Sequence, residues 1–337
     1  MPIALDAMGS DTHPAPELQA AAIAAKRWSE PLLLVGPEEL LEPRLAEMGV
    51  DRRQVQVVHA PEVLEMTDKP ARSARGKAES SMAVGMELIK SGNADAFVTA
   101  GNTGGAMANA LFRLGRIRGV KRPALTTLIP VKDDFAVVLD IGANADCKPE
   151  YLQQFAILGS VYAEKVLHKS SPRVGLLSNG EEAGKGNSLV KETYPLLEQS
   201  NLNFIGNIEP KELFGGASDV AVTDGFSGNV LIKTSEAVSK FLIEMIREQI
   251  QASLITSVGG LLAKPAFGKV RKVLDPSEYG AAPLLGVRGL VFVGHGRSNA
   301  KALVNALRVA HEAVESDLLS GLQEAIKTGL EAQMEQG

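Results

Sequence analysis

The segment Ala96-Phe97-Val98-Thr99-Ala100-Gly101-Asn102-Thr103-Gly104-Gly105 contains the pattern that decides the fold. A short apolar run comes first, and a turn rich in glycine and asparagine follows it. Short runs that are apolar throughout are typical of parallel strands buried on both faces. A helical pattern follows the turn. The segment therefore predicts a strand, a polar turn and a helix in succession.

The same pattern recurs along the whole chain. The other strand runs are residues 2–5, 32–35, 136–139, 173–177, 219–223 and 290–293. Their alternation with helices predicts a three-layer α/β/α fold, doubly wound around a mostly parallel sheet. Ligands bind beyond the carboxyl ends of such strands. We therefore expect the polar turns to gather at one sheet edge, although any single turn could be structural only.

Length and composition favour one α/β domain over residues 1–337, with a protruding helical element over 236–275. Of the 337 residues, 45% are hydrophobic and 22% charged. A net charge of −5 argues against general nucleic-acid binding. The single cysteine, Cys147, excludes an internal disulfide and favours the reducing cytosol. No signal peptide or bilayer-spanning stretch is recognisable, so a cytoplasmic protein is expected.

The protruding element combines apolar and basic residues. Residues 236–253 have helical apolar spacing and predict an amphipathic helix, whereas 254–267 is predicted to be interrupted by Gly259-Gly260 and Pro265. Basic residues follow, which suits insertion into an anionic leaflet; a dimer or core contact is the alternative. The residues expected at the membrane are Leu254, Ile255, Val258, Leu261, Leu262 and Phe267, beside the basic residues Lys264, Lys269, Arg271 and Lys272. Residues 299–331 predict one or two long helices.

Two of the turns are typical of anion sites. Gly101, Asn102, Thr103 and Gly104 open a helix, where backbone amides can face phosphate or an oxyanion; plain helix capping is the alternative. The segment 180–185 resembles a P-loop but is one residue short. In it, Lys185 is predicted to neutralise phosphate or to contact phosphopantetheine, with a solvent-exposed turn as the alternative. The neighbouring candidates for substrate binding are Asn179, Glu181 and Gly184. A basic loop, 69–77, either binds phosphate or is a solvated helix entry.

The remaining candidates come from other strand ends. Asp224 either positions a reacting group or shapes a turn, and Asn229, with Asn179, is predicted to orient a thioester. His295, between two glycines, is the most plausible proton donor, unless it only caps or positions. Further substrate-binding candidates are Asp6, Gly9, Asp11, Asn144 and Gly225. The sequence has no Ser-His-Asp spacing and no G-x-S-x-G elbow, so nothing in it indicates a covalent acyl-enzyme. It also has no His/Cys cluster that would indicate a metal site.

A cluster of positive charge suggests a docking surface for an acidic protein. Five basic residues fall within ten positions, and such a patch can steer an acidic partner, although many charge runs are only wet surface. The residues are Arg113, Arg116, Arg118, Lys121 and Arg122.

Six segments in order resemble the bacterial acyl-[acyl-carrier-protein]:phosphate acyltransferases of phospholipid synthesis. The segments are 6–11, 100–104, 140–149, 177–186, 224–229 and 279–286. Two positions depart from the family pattern: Ser10 stands where a second glycine is more frequent, and Arg297 replaces a small residue.

The resemblance implies a fold similar to isocitrate and isopropylmalate dehydrogenases and to phosphate acetyltransferases, with no nicotinamide or other cofactor. It also implies a homodimer at the inner face of the plasma membrane. The implied reaction moves a long-chain acyl group from acyl carrier protein to inorganic phosphate, giving acyl phosphate for a glycerol-3-phosphate acyltransferase.

Two other functions stay open at this point. One is a phosphate acetyltransferase-like enzyme that uses a short-chain coenzyme A thioester, and the other is a non-catalytic membrane scaffold. Polar turns at the predicted strand ends argue against a scaffold, which needs no such cluster.

Overall fold

The computed structural model of the protein describes residues 2–335, with the side chains of Arg271, Pro276 and residues 330–335 outside the described set. Within that range the strands are β1 (Ile3–Asp6), β2 (Leu32–Gly36), β3 (Val55–His59), β4 (Ala96–Thr99), β5 (Ala124–Val131), β6 (Asp134–Leu139), β7 (Val174–Leu177), β8 (Phe204–Ile208), β9 (Val220–Val222), β10 (Ala282–Leu285) and β11 (Leu290–Val293). The α-helices are α1 (Ala15–Arg27), α2 (Glu38–Glu47), α3 (Pro70–Gly76), α4 (Ser81–Lys90), α5 (Thr103–Asn109), α6 (Pro149–Lys165), α7 (Ser188–Glu198), α8 (Pro210–Phe214), α9 (Gly225–Gln251), α10 (Leu254–Leu274), α11 (Ala300–Glu315) and α12 (Leu318–Glu335). A π-helical turn, Ala110–Leu114, continues α5, and a 3-10 turn, Pro276–Glu278, follows α10.

All of these strands lie in one sheet, in the order β3-β2-β1-β4-β11-β10-β5-β6-β9-β7-β8. Strands β3, β2, β1, β4 and β11 are mutually parallel, and so are β6, β9, β7 and β8. Between these two sets, β10 pairs antiparallel with β11 and with β5, and β5 pairs antiparallel with β6. The mostly parallel sheet is confirmed.

The three antiparallel pairings have a consequence for the polar turns. Each reverses the strand direction, so the β6, β9, β7 and β8 set runs opposite to the β1, β4 and β11 set. The carboxyl ends of the two sets therefore leave the sheet at opposite edges. The prediction that all polar turns share one edge is wrong, because the tight β5–β6 connection between Val131 and Asp134 turns the chain round.

Helices cover both faces of the sheet, which confirms the three layers. Ile3 and Leu5 pack into a core shared with α1, α6, α11 and α12, whereas Ala4 between them joins the opposite core with α4 and α5. This alternation follows from the two-residue period of a strand. Because apolar residues fill both sides, each strand is apolar throughout. The sequence predicts one or two long helices over residues 299–331, and the structure has two, α11 and α12.

The protruding element is a helical hairpin of α9 and α10. Helix α9 begins at Gly225, directly after β9, because the Asp224 carboxylate accepts the amide of Ser227 at 2.8 Å and caps it. The predicted helix over 236–253 is thus the end of a longer one. Helix α10 continues through Gly259, Gly260 and Pro265, so the predicted interruption is wrong. A capping box between Ser253 and Thr256 starts this helix and supports its first turn.

The hairpin exposes its apolar side chains. Leu254 and Ile255 are 87% and 86% exposed, and the other four residues expected at the membrane are exposed as well. Among the described residues, none of the helices is both long and apolar enough to span a bilayer.

Candidate functional site

The turns after β1, β4 and β11 form one group, here called the first turn group (residues 6–11, 100–105 and 294–298). These strands are neighbours in the sheet, so their ends are adjacent. The amide of Asp11 donates to the carbonyl oxygen of Gly296 at 2.7 Å, and Gly294 donates to Thr99 at 2.7 Å. The structure therefore brings Asp6, Gly9, Asp11, Gly101, Gly104 and His295 into one region.

Asp6 links the turns after β1 and β4 through hydrogen bonds. Its carboxylate accepts the Thr99 hydroxyl at 2.7 Å and the Met8 amide at 3.0 Å, while the Thr99 oxygen accepts the Gly101 amide at 2.9 Å. Burial raises the pKa of Asp6, and hydrogen bonds from Ser81 and Thr99 oppose that rise. Since Asp6 is only 2% exposed, its role here is to position the turns around it.

Glycine at position 9 lets two turns approach closely. A methyl group added at Gly9 would lie 2.9 Å from the backbone nitrogens of Ala100 and Gly101. That distance is shorter than a van der Waals contact, so a larger residue would push the turns apart.

Asn102 has the capping role that was the alternative to anion binding. Its side-chain oxygen accepts the Gly105 amide at 2.9 Å, and its side-chain nitrogen donates to the carbonyl of Met66 at 2.9 Å. The Gly101 and Gly105 amides are thus already bonded within the protein. The backbone amides of Thr103 and Gly104 remain as candidate anion donors, and the Thr103 side chain is exposed.

His295 lies where α9 passes the first turn group. Its imidazole is 60% exposed, and its Nε2 is 3.9 Å from a carboxylate oxygen of Glu236. The Arg297 guanidinium lies 3.6 Å from the other oxygen of Glu236. Arg297 therefore faces α9 and leaves the His295 ring accessible to a substrate.

The turns after β6, β7 and β9 form the second turn group (residues 140–147, 178–186 and 223–229). Its centre is Asp140, which the sequence analysis did not select. Its buried carboxylate accepts hydrogen bonds at 2.7–3.1 Å from the amides of Leu125, Gly142, Ala143 and Asn144 and from the Asn144 side chain. The available signal was an aspartate at a strand end before a glycine-containing turn, as at Asp6.

Helix α9 begins against this centre. The Gly225 amide donates to the Asn144 carbonyl at 2.8 Å, and the Asn229 side chain donates to the Ile141 carbonyl at 3.1 Å. A methyl group added at Gly228 would lie only 2.0 Å from the Asp140 carbonyl oxygen. The structure thus brings Asn144, Asp224, Gly225 and Asn229 together, as the sequence suggested, although the Asp224 carboxylate is engaged in capping.

The loop 178–186 borders this group on the β7 side. Asn179 accepts the Gly186 amide at 3.0 Å, and the exposed Lys185 has no ion pair among the described residues. Glu181, with Glu209 and Glu212, surrounds the Lys211 ammonium at 3.1, 3.0 and 3.3 Å. These carboxylates could hold a metal ion by geometry, but the Lys211 ammonium already lies among them and offsets one of their three negative charges, and they raise the pKa of Lys211.

Lys185 and the 101–105 turn follow strands that are not neighbours in the sheet. Strand β4 precedes that turn, β7 precedes Lys185, and six sheet positions separate these strands. Helix α9 nevertheless connects the two groups, because Asn229 contacts the 140–144 turn and Glu236, seven residues or ~10 Å further along the helix, approaches His295. The two turn groups are therefore about two helical turns apart along α9.

The basic patch borders the second turn group. The Asn144 side chain donates to the carbonyl of Pro123, the residue next to Arg122, at 2.7 Å. Arg116, Arg118, Lys121 and Arg122 are exposed. Arg113 differs, because its guanidinium is only 18% exposed and pairs with Glu87 at 3.1 Å.

The environment of Cys147 favours the protonated thiol. Burial raises the pKa of its thiol to about 12, so the thiolate is scarce at neutral pH.

Known proteins resemble this chain over nearly its whole length. The sequence model of the family described as Fatty acid synthesis protein matches residues 1–320. A relative named Phosphate acyltransferase from Dictyoglomus turgidum is 48% identical, over 98% of this chain and 100% of its own length. Another of that name from Acidobacterium capsulatum is 47% identical, over 92% of each chain.

Solved structures show the same fold at low identity. The EutD phosphotransacetylase of Staphylococcus aureus superposes with a TM-score of 0.59 at 15% identity, covering 93% of this chain and 94% of its own. A 4-hydroxythreonine-4-phosphate dehydrogenase from Klebsiella pneumoniae superposes with a TM-score of 0.53 at 12% identity, covering 93% of this chain and 99% of its own. The expected likeness to phosphate acetyltransferases and to a dehydrogenase fold is confirmed.

Proposed function

This chain belongs to the phosphate acyltransferase family and is an acyltransferase acting on phosphate, and we propose that its donor is a long-chain thioester of acyl carrier protein. The observation that carries the proposal is the 48% identity over 98% of the chain to a phosphate acyltransferase. The product is an acyl phosphate, which a glycerol-3-phosphate acyltransferase then consumes.

Catalysis of this reaction depends more on positioning the reactants and stabilising their charges than on activating the phosphate nucleophile. A phosphate oxygen attacks the thioester carbonyl, the C–O bond forms, the C–S bond breaks and the thiolate leaves. Phosphate dianion is already nucleophilic, and a thiol with a pKa near 8.5, on the cysteine model, leaves readily. The protein therefore lowers the barrier mainly by holding two anionic reactants in contact.

We assign phosphate to the first turn group, with the Thr103 and Gly104 amides as donors. The carrier approaches the second turn group, where Asn229 and Asn179 orient its thioester arm and Lys185 meets the phosphate of that arm. His295 is exposed in the first turn group and protonates the leaving thiolate, with a modest gain. If His295→Ala leaves turnover at the wild-type rate, His295 is not the acid.

The decisive experiment supplies a long-chain acyl carrier thioester and labelled phosphate to the purified protein. Labelled acyl phosphate is expected. A series of acyl coenzyme A thioesters of increasing length tests the short-chain alternative, which predicts the highest kcat/KM for acetyl. Failure to form any acyl phosphate would contradict the enzymatic proposal.

The exposed basic residues Arg116, Arg118, Lys121 and Arg122 support carrier docking, because they adjoin Asn144 of the second turn group. Reversing these four charges should raise the KM for the carrier substrate and spare a small thioester analogue. Arg113 pairs with Glu87 and is left out of the variant. Equal loss with both substrates would exclude this surface.

The exposed hairpin supports peripheral binding to an anionic membrane, and a homodimer is the other part of the proposal. Changing Leu261 and Leu262 to Asp should release the protein from anionic vesicles without loss of activity in solution. Ile205→Asp, at an exposed apolar position in β8, is the matched control. Retained vesicle binding would contradict membrane insertion, and sedimentation of both variants would reveal whether the same residues support the dimer.

A further inference from the structure

A phosphate bound in the first turn group has no lysine or arginine beside it among the site residues predicted from the sequence. Asp6 and Asp11 are acidic, and Lys185 lies six sheet positions away. A dianion placed beside two carboxylates is repelled unless a cation stands nearby. Some other basic residue must therefore face this group if phosphate binds there.

Two exposed basic residues next to the first turn group form no ion pair with any other described residue. Lys77 is bound to Asp68 at 2.6 Å, and Arg297 lies near Glu236. Lys69 and Arg72, by contrast, are exposed and form no ion pair within residues 2–335. Both belong to residues 66–72, which we call the basic strap.

The strap is fixed to the turns that would hold the phosphate. The Asn102 side chain donates to the carbonyls of Met66 at 2.9 Å and Asp68 at 3.3 Å. A methyl group added at Gly104 would lie 2.6 Å from the Pro70 ring, and one at Gly296 would lie 2.5 Å from the Met66 methyl. The strap thus touches both the 100–105 and the 294–298 turns.

The two cations lie at the start of α3. Pro70 begins α3, Lys69 is the residue just before it, and Arg72 lies in its first turn. Arg75, three residues further on, differs because its guanidinium lies over the Phe112 ring at 4.7 Å from the centroid. Lys69 and Arg72 are therefore unpaired among the described residues, whereas Arg75 is already engaged.

We propose that Lys69 and Arg72 of the basic strap bind the phosphate substrate at the first turn group. This inference rests on the proposed use of phosphate, and it makes the 69–77 loop a substrate-binding element in place of a solvated helix entry. It also explains why Asn102 is engaged: its amide holds the strap in position, and its oxygen holds α5.

The test measures phosphate binding directly, apart from turnover. Equilibrium dialysis of labelled phosphate with Lys69→Gln, Arg72→Gln and the double variant should show a Kd raised about 10-fold or more per contact, the size of one charge-assisted hydrogen bond. The KM for phosphate should rise in parallel, while the KM for the acyl donor stays unchanged. Arg75→Gln removes the same charge from the same helix and should leave the phosphate Kd within about 2-fold of the wild-type value.

A second variant tests position without removing charge. Gly104→Ala pushes Pro70 away and should also raise the phosphate Kd, with the thermal midpoint used to check folding. Wild-type Kd in the double variant, an equal loss in Arg75→Gln, or no phosphate binding by the wild-type protein would each overturn the proposal. A wild-type protein that binds phosphate through Lys69 and Arg72 but forms no acyl phosphate would refute the proposed reaction alone.

Discussion

The two turn groups are each built around a buried aspartate at a strand end, but the two aspartates are used differently. Asp6 accepts the Met8 amide of its own turn and the Thr99 hydroxyl of the next strand. Asp140 accepts five hydrogen bonds, from its own turn and from the start of β5. Asp6 therefore links neighbouring turns, whereas Asp140 fixes one turn almost alone.

This difference shows where each group keeps freedom to bind. In the first turn group the turns are joined by backbone contacts and by the basic strap, which leaves exposed cations beside them. In the second, the Asp140 and Asp224 carboxylates are engaged within the protein, and the exposed cations beside them include Lys185 and the basic patch. The first group thus suits a small anion, and the second suits a larger partner that docks from outside.

The largest expected effect comes from removing the two aspartates. Asp140→Ala leaves several buried amides without an acceptor and should lower the free energy of unfolding by about 4 kcal/mol, against about 2 kcal/mol for Asp6→Ala. Urea denaturation of both variants measures the difference. Equal losses would mean that the two aspartates have the same structural role.

The contact between α9 and Asp140 comes next. Gly228→Ala places a methyl group 2.0 Å from the Asp140 carbonyl oxygen, and overpacking of this kind should cost about 3 kcal/mol. Gly184 has open space around it and serves as the control; its alanine variant should stay within about 0.5 kcal/mol of the wild type. A tolerated alanine at 228 would show that α9 is free to shift.

Lowering the pH should destabilise the part of the sheet formed by β6, β7 and β9, because Asp219 then loses its negative charge. Burial raises the pKa of this carboxyl, but hydrogen bonds from Arg173 and Lys169 outweigh it and hold the pKa well below the ordinary 3.8. The stability from these contacts is therefore present above pH 3.8 and is lost as the pH falls through the lower folded value.

We expect Asp219→Asn to be about 1 kcal/mol less stable than the wild type at pH 7. The two unfolding free energies should converge as the pH falls below 3.8. Hydrogen exchange on β6, β7 and β9 should report the same trend. A pH-independent difference would assign the loss to packing.

The smallest effect concerns Cys147, which lies within the second turn group. Because burial raises the pKa of its thiol to about 12, Cys147→Ser should change kcat by less than about 2-fold. Iodoacetamide should leave the wild-type activity intact. An acyl group trapped on Cys147 would contradict the direct-transfer mechanism.

The sequence predicts the strands and the turns well because each is set by local patterns. Strand direction is not local: the antiparallel pairing of β5 with β10 and β6 depends on long-range contacts, so the sequence predicts one shared sheet edge where the structure has two. Gly259, Gly260 and Pro265 suggest a break, yet the capped α10 tolerates them. Asn102 is a residue type that suits both helix capping and anion binding, and only its hydrogen bond from the Gly105 amide shows that it caps α5.

Helix α9 touches both turn groups with one of its faces. Asn229 contacts the 140–144 turn and Glu236 approaches His295, and these residues are seven positions apart, or about two helical turns. The length of this helical segment therefore sets the spacing between the two turn groups. Deleting a single residue between 229 and 236 would rotate Glu236 by ~100° away from His295, so this stretch should tolerate substitutions far better than changes in length.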